Sequence, residues 1–107
     1  MKQSEANVQS EIRIALSAYG ICIRLQSGMF QTIDGRPVRI GLNGLPDLMH
    51  LSFDGRVTFI ECKNSTGRTR PEQIRFLAWL TDHGFTAGIA RSVPDALHLI
   101  GVDRHDD

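Results

Sequence analysis

The sequence predicts an α/β fold in which helices flank a mixed β-sheet. Three observations lead to this prediction. An amphipathic helical pattern opens the chain, two short apolar runs in its middle are joined by an Asp54-Gly55 turn, and a helix, a strand and a helix follow. This order of elements is typical of an α/β sandwich around a mixed sheet. The 107 residues are expected to form one domain, residues 1–107, because that length is too short for a second core.

The first helix is predicted from about residue 4 to residue 19. Ser4 is a suitable N-cap, and Gly20 is a natural C-terminal stop. Glu11 falls within the apolar stripe of this helix, so its charge needs a partner. It either approaches a functional site or reaches solvent from the edge of the stripe. The stripe itself consists of Val8, Ile12, Ala15, Leu16 and Tyr19.

A strand is predicted over residues 21–26, where apolar and polar residues alternate. Residues 29–40 follow, with a turn at Asp34-Gly35 between two short alternating segments. This region is either a small exposed hairpin or a mobile loop.

The two apolar runs around Asp54-Gly55 predict an antiparallel hairpin whose register matters. A three-residue turn, Phe53 to Gly55, would place Asp47 opposite Glu61 and leave both on the same face as Lys63. A two-residue turn would shift the register by one and separate the carboxylates. The parity of the apolar residues favours the three-residue turn. It also predicts that the odd-numbered face is the core face, with Leu45, Met49, Leu51, Phe53, Val57 and Phe59.

Three ionisable groups at one end of a buried face are costly unless they are compensated. Two close carboxylates repel each other and raise each other's proton affinity, and a divalent cation between them relieves that repulsion. The alternative is an ion pair of Lys63 with Asp47 or Glu61 and no chemistry. The spacing alone leaves both possibilities open.

The second helix is predicted from Pro71 to about His83, after a polar loop over residues 64–70. Gln73 lies near its start, where it either hydrogen-bonds within the site or has no role. Trp79 is predicted to be a core residue rather than a platform for base stacking. The helix is apolar on most sides, through Ile74, Phe76, Leu77, Ala78, Trp79 and Leu80. A strand over residues 85–90 and a helix capped by Ser92 complete the order of elements.

Net charge is zero, but the charges are unevenly distributed. Residues 24–75 carry eight basic and five acidic side chains, whereas residues 76–107 carry two basic and five acidic ones. A cation held by Asp47 and Glu61 would make the active face positive, as phosphate binding requires. Arg68, Arg70 and Arg75 are the candidate phosphate-binding residues, and they become the candidate DNA-binding residues under the family resemblance given below; the alternative is that they only keep a loop and a helix soluble.

Several classes of protein are disfavoured. No apolar run approaches the roughly 20 residues that span a bilayer, and no signal-peptide core follows the N-terminus, so a cytoplasmic protein without membrane contact is expected. Cys22 and Cys62 lack CxxC spacing and are expected to be small buried apolar residues. P-loop, HExxH and GxSxG motifs are absent from the sequence.

Three segments carry a family resemblance: GLPD ending at Asp47, ECK ending at Lys63, and RPEQ ending at Gln73. They resemble the PD-(D/E)XK nuclease superfamily and, within it, most closely the VRR-Nuc family. The resemblance covers most of the chain, from a Glu in the first helix to the Gln of the second. It implies a restriction-endonuclease-like fold. The departures are Asn43 and Leu45, where small residues are common, and a short insert before the motif.

The resemblance also implies a function, a Mg²⁺- or Mn²⁺-dependent DNA endonuclease. Asp47, Glu61 and the backbone carbonyl of Cys62 would hold the cation, with Glu11 in support. Lys63 would orient the attacking water or offset charge in the transition state, and Gln73 would position the nucleophile or the DNA backbone.

Assembly and substrate follow from the same resemblance. Stand-alone VRR-Nuc proteins resemble junction-cutting dimers, which implies a homodimer acting on branched or four-way junction DNA. The surplus of apolar residues on the second helix favours a dimer independently. The alternatives are a DNA-binding module that does not cleave and a sequence-specific restriction-type endonuclease.

Overall fold

The computed structural model describes residues 2–102 as three helices and six strands. In chain order these are α1 (Glu5–Leu16), β1 (Gly20–Arg24), β2 (Gly28–Gln31), β3 (Pro37–Ile40), β4 (Leu48–Ser52), β5 (Val57–Cys62), α2 (Pro71–Asp82), β6 (Thr86–Ala90) and α3 (Val93–Leu99). The main sheet has the order β1-β4-β5-β6. Its first three strands are antiparallel, and β6 runs parallel to β5 because α2 connects them. The predicted mixed sheet flanked by helices is confirmed.

The predicted register of the central hairpin is also confirmed. Leu51 pairs with Val57, and the Ser52 N–H donates to the Arg56 carbonyl at 2.9 Å, so three residues form the turn. Gly55 has a φ of +90°, a left-handed conformation that glycine adopts without strain. The same register extends back through the pair of Leu48 with Ile60. It therefore places Asp47 and Glu61 opposite each other at the far end of the hairpin.

The assignment of the core face was wrong. The buried apolar residues of β4 and β5 are even-numbered, whereas the odd-numbered apolar residues are only half-buried and Phe53 is exposed. Glu61 is the one odd-numbered residue of these two strands that is buried. The reason is the placement of helices, since α1 and α3 pack together across the even-numbered face. α2 covers only part of the other face, where Phe59 meets Phe85 edge to face at 6.0 Å. The core cluster is Val8, Ile12, Leu16, Leu48, Ile60, Cys62, Ala90, Ala96, Leu97 and Ile100.

The ends of α1 follow the sequence only in part. Ser4 caps the helix as predicted, with its Oγ accepting from the Asn7 N–H at 3.1 Å. The helix ends at Leu16, three residues earlier than predicted, and Gly20 belongs to β1. A Cβ at residue 20 would lie 2.0 Å from the Leu51 carbonyl oxygen, so this glycine is needed for strand pairing.

The remaining elements lie close to their predicted positions. Pro71 begins α2, and Ser92 caps α3 through a bond to the Asp95 N–H at 3.3 Å. Residues 28–40 form a hairpin rather than an irregular loop. The prediction that Trp79 is a core residue was wrong, because this side chain is 53% exposed. None of the helices in residues 2–102 is long and apolar enough to cross a membrane.

Candidate active site

Three carboxylates meet where α1 begins and the β4–β5 hairpin opens. Glu5 is the first residue of α1, Asp47 directly precedes β4, and Glu61 is the penultimate residue of β5. One carboxylate oxygen from each lies within 4.8 Å of the other two. The hairpin register brings the two strand residues together, and the start of α1 adds the third. We call these three residues the acidic cluster.

Glu61 is the most buried member of the acidic cluster, with 1% of its surface exposed. Its Oε2 accepts a hydrogen bond from Gln73 Nε2 at 2.8 Å, but its Oε1 has no hydrogen-bond partner among residues 2–102. Burial, and after it the negative charge of Asp47, raises the pKa of Glu61 to about 7. An unsatisfied buried carboxylate oxygen is uncommon in folded proteins and indicates a missing partner.

Asp47 is held by the neighbouring strand. Its Oδ2 accepts from the Cys62 N–H at 2.8 Å. Burial raises the pKa of Asp47, and the hydrogen bond from Cys62 opposes that rise. In an extended strand the N–H and C=O of one residue point to the same side. The Cys62 carbonyl is therefore directed to the side of β5 that carries Asp47.

Lys63 brings a buried positive charge to the acidic cluster and is only 6% exposed. Its Nζ lies 3.6 Å from Glu61 Oε2 and 3.8 Å from Glu5 Oε1. The ion pair that the sequence left open as an alternative is therefore present. It does not complete the site, because one ammonium faces three carboxylates and leaves Glu61 Oε1 without a partner.

Glu11 does not lie in the acidic cluster. Its side chain is exposed and accepts a hydrogen bond from Gln3 Nε2 at 2.8 Å. Glu5 takes the place near Asp47 and Glu61 that the sequence analysis expected Glu11 to take. Glu5 lies six residues nearer the start of α1 than Glu11, which is about 9 Å along the helix axis at 1.5 Å per residue. A signal for Glu5 was available, since it directly follows the N-cap and acids are favoured at that end of a helix.

Gln73 connects the acidic cluster to the start of α2. Its Oε1 accepts from the Arg70 N–H at 2.9 Å, as an N3 residue does in a capping box, while its Nε2 donates to Glu61. The amide is thus held from both ends and orients the Glu61 carboxylate. This contact brings together two of the residues that the sequence selected.

The three predicted DNA-binding arginines lie on or near the loop that follows Lys63. Arg68, Arg70 and Arg75 are all exposed, and Arg70 forms an ion pair with Glu72 at 3.3 Å. The loop is anchored by Arg91, whose Nη1 donates to the carbonyls of Asn64 at 2.7 Å and Gly67 at 2.8 Å. None of the three belongs to the acidic cluster.

Arg24 is a site residue that the sequence did not single out. It lines a cleft of about 290 Å³ together with Gln26, Phe30 and Asp47. Its place there depends on β1 pairing with β4, where Arg24 is the partner of Leu48. The cleft gives Asp47 an open approach with a positive charge beside it.

The two thiols take no part in the acidic cluster. Cys62 is fully buried and Cys22 is half-buried, and both are free. Burial raises the pKa of each thiol, so neither is activated as a nucleophile.

Comparison with known proteins identifies the family of this chain. The family model described as the VRR-NUC domain matches residues 4–94. The chain belongs to the VRR-NUC domain family. A solved structure titled "VRR_NUC domain" is similar to it at 22% identity and a TM-score of 0.65, covering 92% of this chain and 96% of that one. No curated protein sequence matches the chain. Membership implies a nuclease-type function with DNA as substrate.

The acidic cluster of this VRR-NUC domain fits a divalent cation. Carboxylate oxygens are the ligands that Mg²⁺ and Mn²⁺ prefer, and three of them converge here. The unpartnered Glu61 Oε1 and the raised pKa of that carboxyl both indicate a negative charge that the protein alone does not balance.

Proposed function

We propose that this VRR-NUC domain is a Mg²⁺- or Mn²⁺-dependent endonuclease that hydrolyses phosphodiester bonds in DNA. The observation that carries the proposal is the buried Glu61 carboxylate, which faces Asp47 and Glu5 with one oxygen unpartnered. Such an arrangement is unfavourable at neutral pH unless a cation binds. Membership in the VRR-NUC family indicates that such a cation would serve nuclease chemistry.

In this proposal Glu5, Asp47, Glu61 and the Cys62 carbonyl hold the cation. A bound divalent cation polarises the scissile phosphate and lowers the pKa of water. Glu5 takes the supporting role that the sequence assigned to Glu11.

Lys63 and Gln73 complete the proposed machinery. The Lys63 ammonium is buried beside Glu61, so its charge is little screened by solvent and can offset the negative charge that develops on the phosphate. Gln73 keeps the Glu61 carboxylate in one orientation through its 2.8 Å bond. Water adds to phosphorus as the P–O bond to the leaving strand breaks, and a proton passes to that oxygen.

The proposed DNA contacts are Arg68, Arg70 and Arg75. All three are exposed on the loop and helix that follow Lys63, so phosphates on either side of the scissile bond could reach them. The Arg70 side chain is 67% exposed while it pairs with Glu72, so it can contact a phosphate without giving up that salt bridge.

Cleavage assays test the proposal directly. Linear, nicked, flapped and four-way junction DNAs are incubated with Mg²⁺, with Mn²⁺ and with EDTA. We expect cleavage only with the cations, and loss of cleavage in Asp47→Asn and Glu61→Gln with DNA binding largely retained. Calorimetric Mn²⁺ binding that is unchanged in both variants would contradict the assignment. DNA binding without cleavage under every condition would favour a non-cleaving module.

Substrate preference and assembly are finer proposals. We propose branched DNA as the preferred substrate and a homodimer as the active form, because cutting two arms or strands needs two sites related by symmetry. Exposed apolar side chains are available for a dimer, including Ile21 on edge strand β1 and Ile74 on α2. We expect a dimer mass by sedimentation equilibrium at micromolar concentration. A monomer with full activity on a four-way junction would refute the proposed homodimer. A DNA substrate supports the cytoplasmic location that the sequence analysis expects.

A further inference from the structure

A groove of about 430 Å³ runs beside α2, the helix whose first turn carries Gln73, the hydrogen-bond partner of Glu61. We propose that this groove binds an unpaired nucleobase of the DNA substrate. The inference rests on the proposed function and deepens it, because it defines the substrate as DNA with single-stranded nucleotides beside the scissile phosphate. The groove is lined by Leu42, Asn43, Glu72, Arg75, Phe76 and Trp79.

The walls of the groove match the chemistry of a nucleobase. Phe76 and Trp79 supply aromatic surface, the Asn43 amide can both donate and accept hydrogen bonds, and Arg75 supplies a cation. Glu72, Arg75, Phe76 and Trp79 are spaced by three and four residues, so they form one face of α2. The groove is therefore held by a rigid element on one side.

Trp79 is the main stacking surface. The residue is 53% exposed, and its ring stacks on His83 at a centroid distance of 4.1 Å and an angle of 24°, with the Phe85 ring nearly parallel at 6.4 Å. Stacking on a neighbour fixes the orientation of the ring before any ligand arrives, which lowers the entropic cost of binding. Base–aromatic stacking tolerates any base, since every base has a π-face.

The groove is close to the site of chemistry. Gln73 donates a hydrogen bond to Glu61 and lies on α2, as the aromatic residues of the groove do. Along the helix axis, Phe76 is about 4.5 Å and Trp79 about 9 Å from Gln73. On the other wall, a Cβ at Gly44 would lie 2.3 Å from the Glu72 carbonyl oxygen, so the loop is tightly packed against α2. That loop leads directly to Asp47. The groove and the acidic cluster therefore share two elements, α2 and this loop, and a strand bound at the cluster is within reach of the groove.

The charges favour a nucleotide over a protein partner. The Arg75 side chain forms no ion pair or hydrogen bond within the part of the chain that the structure describes, whereas Glu72 is engaged by Arg70 at 3.3 Å. An apolar protein surface would bury the Arg75 charge without a counter-ion, which is costly. A nucleotide brings its own phosphate. Ile74, an apolar residue available for a dimer, lies on a different face of α2 and leaves the groove open.

The single tryptophan of the chain allows a direct test, because fluorescence excited selectively at tryptophan, and not at Tyr19, reports on the groove. The full chain is titrated in EDTA with a short oligothymidylate, with a blunt duplex, and with the same duplex carrying a single-stranded flap. We expect the oligothymidylate and the flapped duplex to quench Trp79, and the blunt duplex to leave its emission unchanged. Equal quenching by the blunt and flapped duplexes would overturn the proposal.

Affinity measurements on variants complete the test, with a fluorescent label on the DNA. Trp79→Ala should weaken binding of the flapped duplex about tenfold or more, with little change for the blunt duplex. Trp79→Phe should restore most of the loss. Phe53→Ala is the matched control, because Phe53 is an exposed aromatic residue at the opposite end of β4. An equal loss of affinity for the blunt and the flapped duplex in Trp79→Ala would overturn the proposal. A Trp79 emission shift that depends on protein concentration in the absence of DNA would also overturn it, because a second copy of the chain would then cover the groove.

Failure of this inference is distinguishable from failure of the proposed function. Quenching by flapped DNA without cleavage under any metal condition would support the groove and refute the nuclease. Metal-dependent cleavage of both duplexes at equal rates, without quenching, would support the nuclease and refute the groove.

Discussion

Replacing Glu61 with Gln should stabilise the metal-free protein above neutral pH. The folded-state pKa of Glu61, about 7, lies above its ordinary value of 4.5, so the folded protein binds this proton more tightly than the unfolded chain does. The free energy of unfolding therefore falls as pH rises from 4.5 to 7, and the loss is complete above 7. At 1.36 kcal/mol per pH unit, that window corresponds to about 3 kcal/mol.

Glu61→Gln removes this loss with little change of shape. The side-chain carbonyl of the new residue can still accept from Gln73 Nε2, and its NH₂ group can donate to the carboxylates of Asp47 or Glu5. We expect wild type and variant to differ little near pH 5 and to diverge up to pH 8, the variant being more stable by up to about 3 kcal/mol. For a domain of this size, that is on the order of 10 °C in Tm.

Urea denaturation and thermal melts between pH 5 and 8, in EDTA and in Mn²⁺, measure the effect. Mn²⁺ should stabilise the wild type at high pH by binding the folded state, and it should stabilise Glu61→Gln much less. Glu11→Gln is the matched control, because Glu11 lies outside the acidic cluster and should behave as wild type. Parallel pH curves for wild type and Glu61→Gln would refute the reasoning.

Three further outcomes are expected. Lys63→Ala should slow single-turnover cleavage by roughly 10²-fold or more at saturating metal while Mn²⁺ affinity falls little; cleavage at the wild-type rate would make Lys63 only an ion-pair partner. Glu5→Gln should weaken calorimetric Mn²⁺ binding and Glu11→Gln should not, and the reverse result would restore the original assignment of Glu11. Gln73→Ala removes a donor to buried Glu61 and the return bond at the start of α2, so urea denaturation should show a loss of about 1–3 kcal/mol; an unchanged midpoint would exclude this positioning role.

Local patterns in the sequence determined the geometry of the central hairpin. The parity of apolar residues on both sides of Gly55 predicted a three-residue turn, and that turn alone brings Asp47 opposite Glu61. The helix starts at Ser4 and Pro71 were equally predictable. Each of these features depends on residues within a few positions of one another, whose backbone preferences and hydrogen bonds act over short distances.

Only the tertiary structure decided which groups meet across the chain. Both faces of the hairpin carry apolar residues, so the pattern could not show that α1 and α3 would cover the even-numbered one. Glu5 and Glu11 are both acids on α1, and the position of that helix relative to β5 selects Glu5. Trp79 is exposed because α2 covers only part of its face of the sheet. These outcomes depend on how the helices pack against the sheet. Side-chain periodicity defines the faces of each helix and strand, but it does not specify which neighbour each face will meet.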